Sequence, residues 1–171
     1  MDQSISRING LSVEQATAEF LKCCGSTVWA QRMSDARPFA DSDELFSKAD
    51  EIWWSLGKND WLESFRAHPK IGEKKAAKAQ SPQASNWSAE EQSGVATAAS
   101  QTIDDLADLN RQYESRFGFI FIVCATGKSA AEMLEVLKRR FQNDAATEIR
   151  IAAEEQNKIT RLRLEKLLHH G

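Results

Sequence analysis

The chain has 171 residues, 42% of them hydrophobic and 27% charged, with a formal net charge of −3 and a pI near 5.7. These values suit one soluble globular domain with a single core and give no electrostatic case for nucleic acid or an anionic membrane. Three cysteines form neither a disulfide framework nor a paired metal motif, so reduced thiols in a cytoplasmic compartment are expected.

In chain order, Met1 to Gly10 carries no basic stretch followed by an apolar one, so no signal peptide is expected. Ser12 with Gln15 is a capping box, and Val13, Ala16, Phe20, Leu21 and Cys24 recur at helical spacing up to Gly25. A short helix holding Trp29 and Met33 is broken at Arg37-Pro38-Phe39. Asp41 or Ser42 caps a helix whose face is Leu45, Phe46, Ala49, Ile52, Trp53 and Leu56, with Gly57 ending it. Asn59 is positioned to cap a further short helix carrying Trp61, Leu62 and Phe65.

Gly72 permits a turn where a Cβ would clash, and a Lys/Ala-rich helical turn is predicted after it. Gln80 to Asn86 is polar and contains Pro82, which predicts a mobile loop. A long helix is predicted from Ser88 to about Phe117, with Val95, Ala99, Ile103, Leu106 and Tyr113 inward. Phe119 to Ala125 has strand composition, but no second strand is present to pair with it. A buried extended connector is therefore predicted, and the apolar run around it is too short to cross a membrane as a helix. Ser129 with Glu132 opens another capped helix, with Met133, Leu134, Leu137 and Phe141 on its core side. The last helix runs from about Ala145 to the C-terminus. The expected fold is all-α, a single compact domain over residues 1–171 (core about 11–168) of roughly seven to nine helices, with no substantial sheet.

Chemistry concentrates at few positions. His68 is the sole histidine outside the C-terminal pair His169 and His170. Pro69 pushes His68 towards an extended backbone, so a stiffened loop presents one imidazole, the side chain best matched to proton transfer near neutrality. A loop histidine that merely packs or caps a helix is the competing reading. At about 100° per residue, Ile149, Ala152, Ala153, Gln156, Ile159, Thr160, Arg163 and Leu167 share one face of the last helix. Arg163 is thus directed to the core, whereas Arg161 falls with Arg150, Glu154 and Glu165 on the solvated side. An inward arginine needs an anionic partner, which makes Arg163 a structural salt bridge or snorkelling side chain, or a clamp for a carboxylate or urea-like oxygens. Ser88 and Glu91 match a capping box; alternatively Ser88, Glu91 and Gln92 form a polar ligand site at a helix start. Cys23 and Cys24 are read as buried rather than reactive, and no ligand set accompanies His169 and His170, so no metal site is expected.

These pieces, taken together, resemble the OHCU (2-oxo-4-hydroxy-4-carboxy-5-ureidoimidazoline) decarboxylase family. The matching stretches are Cys23-Cys24-Gly25-Ser26 with Trp29, Met33 and Arg37-Pro38-Phe39; His68 to Gly72; and Ser88 with Glu91-Gln92. Further on come Leu109-Asn110 with Tyr113-Glu114, Phe117-Gly118-Phe119, Gly127-Lys128-Ser129, and Arg163-Leu164. Each is weak alone, but the ordered set spans about residues 11–168 and is specific. The resemblance implies a homodimeric all-α enzyme without metal or organic cofactor, which decarboxylates OHCU to (S)-allantoin with stereospecific protonation. It further implies His68, Glu91 and Arg163 as catalytic residues, with Pro69, Ser88, Gln92, Phe121 and Val123 contacting the substrate. A non-catalytic helical module binding a small anionic ureide is the alternative.

Overall fold

A computed structural model describes residues 2–71, 82–95 and 98–170. Gly72, the Lys/Ala-rich stretch after it, and Gln80 and Ser81 of the predicted loop lie outside the described residues. Among those described there are nine α-helices and no strand, as the helical periodicity predicts. By their internal packing the residues form two compact units, Met1–Ser64 with Asn157–Gly171, and Phe65–Gln156.

The first unit opens with α1 (Gln3–Asn9), followed by α2 (Val13–Cys23), α3 (Thr27–Asp35), α4 (Ser42–Ser55) and α5 (Lys58–Arg66), whose end passes into the second unit. The polar composition of the first ten residues hid α1. Asp2 accepts from the Ser4 N–H at its start, and Ile5 and Ile8 are fully buried, each contributing roughly 1.5–3 kcal/mol of burial. The Ser12–Gln15 capping box closes reciprocally, and Asp41, not Ser42, caps α4. Asn59 does not cap α5; the helix begins one residue earlier, and the Gly57 carbonyl accepts from Asp60 and Trp61.

Phe20 is the hub of this core, packing edge-on against Trp29 and Phe39. The Trp29 indole N–H donates to the Ala49 carbonyl across 3.2 Å, tying α3 to α4. The Arg37 guanidinium donates to the carbonyls of Ser34, Ile8 and Leu11, and so satisfies backbone at the ends of two helices at once.

The second unit holds α6 (Pro82–Glu91), a 3₁₀ turn (Ser93–Val95), α7 (Ser100–Phe117), α8 (Ala130–Arg140) and the first half of α9 (Ala145–His170). Two sequence expectations fail here. Pro82 to Asn86 is helix rather than loop, because proline is tolerated where the first helical N–H would be unsatisfied anyway. Ala84, Trp87 and Ser88 are its buried face. The predicted long helix from Ser88 is interrupted at Gly94, where an added Cβ would lie 2.4 Å from the Lys128 carbonyl oxygen. That close approach fixes a glycine in the turn between α6 and α7.

Phe119 to Ala125 is neither helix nor strand, and all of it but the half-buried Ile120 is buried, as predicted for a connector. Its aromatic residues gather on Tyr113, whose ring meets Phe117, Phe119 and Phe121. A buried polar network lies beneath them. Arg140 donates to the Glu148 carboxylate at 2.5 Å and to the Ile122 carbonyl at 2.6 Å. Tyr113 O–H and the Asn143 amide also donate to Glu148. Burial pushes the Tyr113 phenol far above its usual range, so it stays protonated and remains a donor.

All three thiols are buried. Burial pushes Cys24 up to about 12 and Cys23 further, while Cys124 is raised by burial and then by Glu155. Because the thiolate is the nucleophile, an aromatic disulfide reagent at about pH 8 should leave the native thiols unmodified. Denaturation should then expose all three; rapid labelling of the folded chain would contradict this packing.

Candidate active site

His68 lies two residues past the end of α5, in irregular chain, and is half-buried. Four contacts set its place. Phe65, at the end of α5, is fully buried against Phe119 of the connector, with ring centroids 5.5 Å apart. The His68 N–H donates to the Phe65 carbonyl. Lys70 pairs with Glu114 of α7 at 2.9 Å, and Ile71 is buried. Finally, His68 Nε2 lies 2.6 Å from Oε1 of Gln156 on α9.

That last contact joins residues 88 apart in sequence. Gln156 is 0% exposed, so no water competes for its amide. The neighbouring residue, Glu155, is also buried and accepts from the Cys124 N–H at 3.2 Å. One turn of α9 therefore holds both the imidazole and the connector. Arg140 holds the connector at the Ile122 carbonyl, so its two anchors fall on residues 122 and 124. Phe121 and Val123, the predicted substrate contacts, alternate with those anchors and are buried.

Ser88 is buried in the last turn of α6, Glu91 ends that helix, and Gln92 follows it. The Ser88–Glu91 capping box expected from sequence does not form, since Ser88 is near a helix end and its carbonyl accepts from the Gln92 N–H. The same geometry removes the idea of helix-start N–H groups at Ser88. What α6 does bring is the carboxylate of Glu91, which acts electrostatically on Cys124, and the Gly94 turn seated on Lys128. Pro69 is half-buried beside His68. His68, Pro69, Ser88, Glu91, Gln92, Phe121 and Val123 all belong to the second unit.

Arg163 belongs to the first unit. It is 4% exposed and donates to the Lys22 carbonyl at 3.2 Å, and it lowers the Cys23 thiol against the effect of burial. Arg161 is exposed and stacks on Phe46. The helical-face reading thus separated the two arginines correctly, although the described acceptor is a carbonyl rather than a carboxylate. Sequence reasoning put Gln156 on the inward face without giving it a task, and it passed over Glu155. The signal for Glu155 was its place between Ala152 and Ile159, one turn away on either side.

Chemically, the second unit offers an imidazole locked to a neutral acceptor, a half-buried carboxylate at a helix end, and a buried backbone segment held from one set of positions. Such a set can move protons on a bound ligand. Among the described residues no three His, Cys, Asp or Glu side chains cluster as metal ligands, and no helix is long and apolar enough to cross a membrane.

A family model described as OHCU decarboxylase matches residues 9–165. The chain is 39% identical over 158 residues to "Uric acid degradation bifunctional protein TTL" of Arabidopsis thaliana, covering 92% of this chain and 48% of that protein. It is 31% identical to a 2-oxo-4-hydroxy-4-carboxy-5-ureidoimidazoline decarboxylase of Amia calva, over 95% of this chain and 93% of that one. Among solved structures, one described as OHCU decarboxylase in the presence of (S)-allantoin superposes with a TM-score of 0.76 at 42% identity. It covers 88% of this chain and 97% of that chain. The chain thus spans about half the length of the plant relative (48%) and nearly all of the fish one (93%).

Proposed function

The chain belongs to the OHCU decarboxylase family, and from that premise we propose that it is a carboxy-lyase converting OHCU to (S)-allantoin in urate degradation. The observation that carries the reading is the family match over residues 9–165, joined to a His68 imidazole fixed by a fully buried acceptor. In the proposed reaction the C–C bond to the carboxylate breaks as CO₂ leaves, its electron pair forms a C=C bond to the adjacent imine carbon, and the imine nitrogen takes up a proton. The enol-like product gives up its hydroxyl proton to a base and gains a proton on the ureido-bearing carbon. One proton is consumed for each CO₂ released. His68 and Glu91 manage these protons, and Arg163 binds the substrate carboxylate. Ser88, Gln92, Pro69 and the main chain at Phe121 and Val123 orient the ring.

Residues 1–171 act in this reading as one cytoplasmic catalytic domain, assembled as a homodimer and working without metal or organic cofactor. Loss of a bidentate guanidinium weakens an anion clamp, so Arg163→Lys should raise KM or lower kcat. Glu91→Gln should lower kcat more than it lowers Tm, because it keeps the size and polarity of the side chain and removes its charge. The test is release of labelled CO₂ from carboxylate-labelled OHCU above the spontaneous rate. Unchanged kcat and KM in both variants would remove these residues from their roles.

A further inference from the structure

We propose that Gln156 is a positioning residue that fixes the tautomer of His68, so that Nδ1 is the ring nitrogen that accepts the substrate's proton; this rests on the decarboxylase reading above. An amide oxygen only accepts hydrogen bonds. With Gln156 Oε1 2.6 Å from His68 Nε2, that nitrogen carries the hydrogen. A neutral imidazole has one N–H, so its basic lone pair is on Nδ1.

Three features make the contact a built one. Gln156 is fully buried, so its oxygen relies on protein donors, and an unmet buried acceptor is expensive. The adjacent Glu155 fastens the same turn of α9 to the Cys124 N–H, which limits how far the amide can drift. His68 itself is pinned through Phe65 on Phe119. The choice of amide over carboxylate has a consequence as well. A carboxylate beside the ring would favour the imidazolium, which cannot accept a proton. The amide orients the ring without adding charge.

The test uses the full chain with ring-¹⁵N histidine and long-range ¹H–¹⁵N correlation at about pH 8.5, above the ordinary imidazole range. His68 is identified by the signal missing in His68→Asn. The Nε2–H pattern is expected in the wild type, and a mixture of tautomers in Gln156→Leu. In Gln156→Leu, kcat should fall roughly 10- to 100-fold with KM little changed. Gln156→Glu, which keeps the acceptor, should retain the Nε2–H tautomer, lose rate at neutral pH, and recover it as pH rises. A wild-type ring protonated at Nδ1, or wild-type kcat in folded Gln156→Leu, overturns the proposal. If Gln156→Leu fails to fold, the wild-type spectrum and the Gln156→Glu profile decide. An Nδ1–H ring with normal OHCU turnover sinks the positioning role alone. An Nε2–H ring with no turnover sinks the decarboxylase reading, and the catalytic purpose of the pair with it.

Discussion

His68→Asn should lower kcat by roughly 10²- to 10⁴-fold, the usual worth of a positioned acid or base, with the fold intact and a modest fall in Tm. The stability half of this expectation follows from where His68 sits. It is half-buried in irregular chain beyond α5, and the anchors of that chain are Phe65, Ile71 and the Lys70–Glu114 pair, none of which the substitution touches. The asparagine amide ends short of the place of Nε2, so the Gln156 oxygen loses this donor, and Tm should fall by the few degrees that one such hydrogen bond is worth. The activity half follows from chemistry, since asparagine keeps polarity and loses basicity. Turnover within a few-fold of wild type in the folded variant would remove His68 from proton transfer.

The largest stability effect belongs to the network under the connector. Arg140→Met should destabilise the chain by about 3–5 kcal/mol, because it leaves the Glu148 carboxylate buried without its cation. For a chain of this size that is a Tm lower by roughly 6–20 °C. Glu148 is 0% exposed and receives Arg140, Tyr113 and Asn143, so water cannot take over. Replacing both partners, as Arg140→Met with Glu148→Leu, should recover much of the loss, since removing a buried pair together strands no charge. The single variant should also be slower, because the Arg140 bond to the Ile122 carbonyl holds the connector between Phe121 and Val123. Denaturant unfolding of Arg140→Met, Glu148→Leu and the double variant measures the coupling; additive losses would show that the two side chains act independently.

What could be read from the sequence, and what could not, divides by the range of the interaction. The Ser12–Gln15 and Ser129–Glu132 caps involve residues three apart, and both close in the structure. The face of α9 is set by helical geometry, which put Arg163 inside and Arg161 outside before any fold was known. Pro82 failed because a proline that stops one helix also starts another, and only the burial of Ala84 and Trp87 decides which. Ser88 was misplaced for the same reason, as its capping pattern appears near the end of a helix rather than at its start. Gly94 is glycine because of the Lys128 carbonyl, and Gln156 matters because of His68. Neither contact leaves a mark at local spacing. The identity of the candidate residues was therefore legible where they lie in motifs, while the groups that hold them in place were not.

The reaction itself is tested most directly by the handedness of its product. OHCU would be generated in situ from urate with urate oxidase and hydroxyisourate hydrolase, and circular dichroism followed with and without this protein. A rapid, optically active (S)-allantoin signal that disappears in His68→Asn is the predicted result. Folded protein that leaves the slow spontaneous rate and a racemic product would contradict it, and would leave a binding module for a small anionic ureide as the better description.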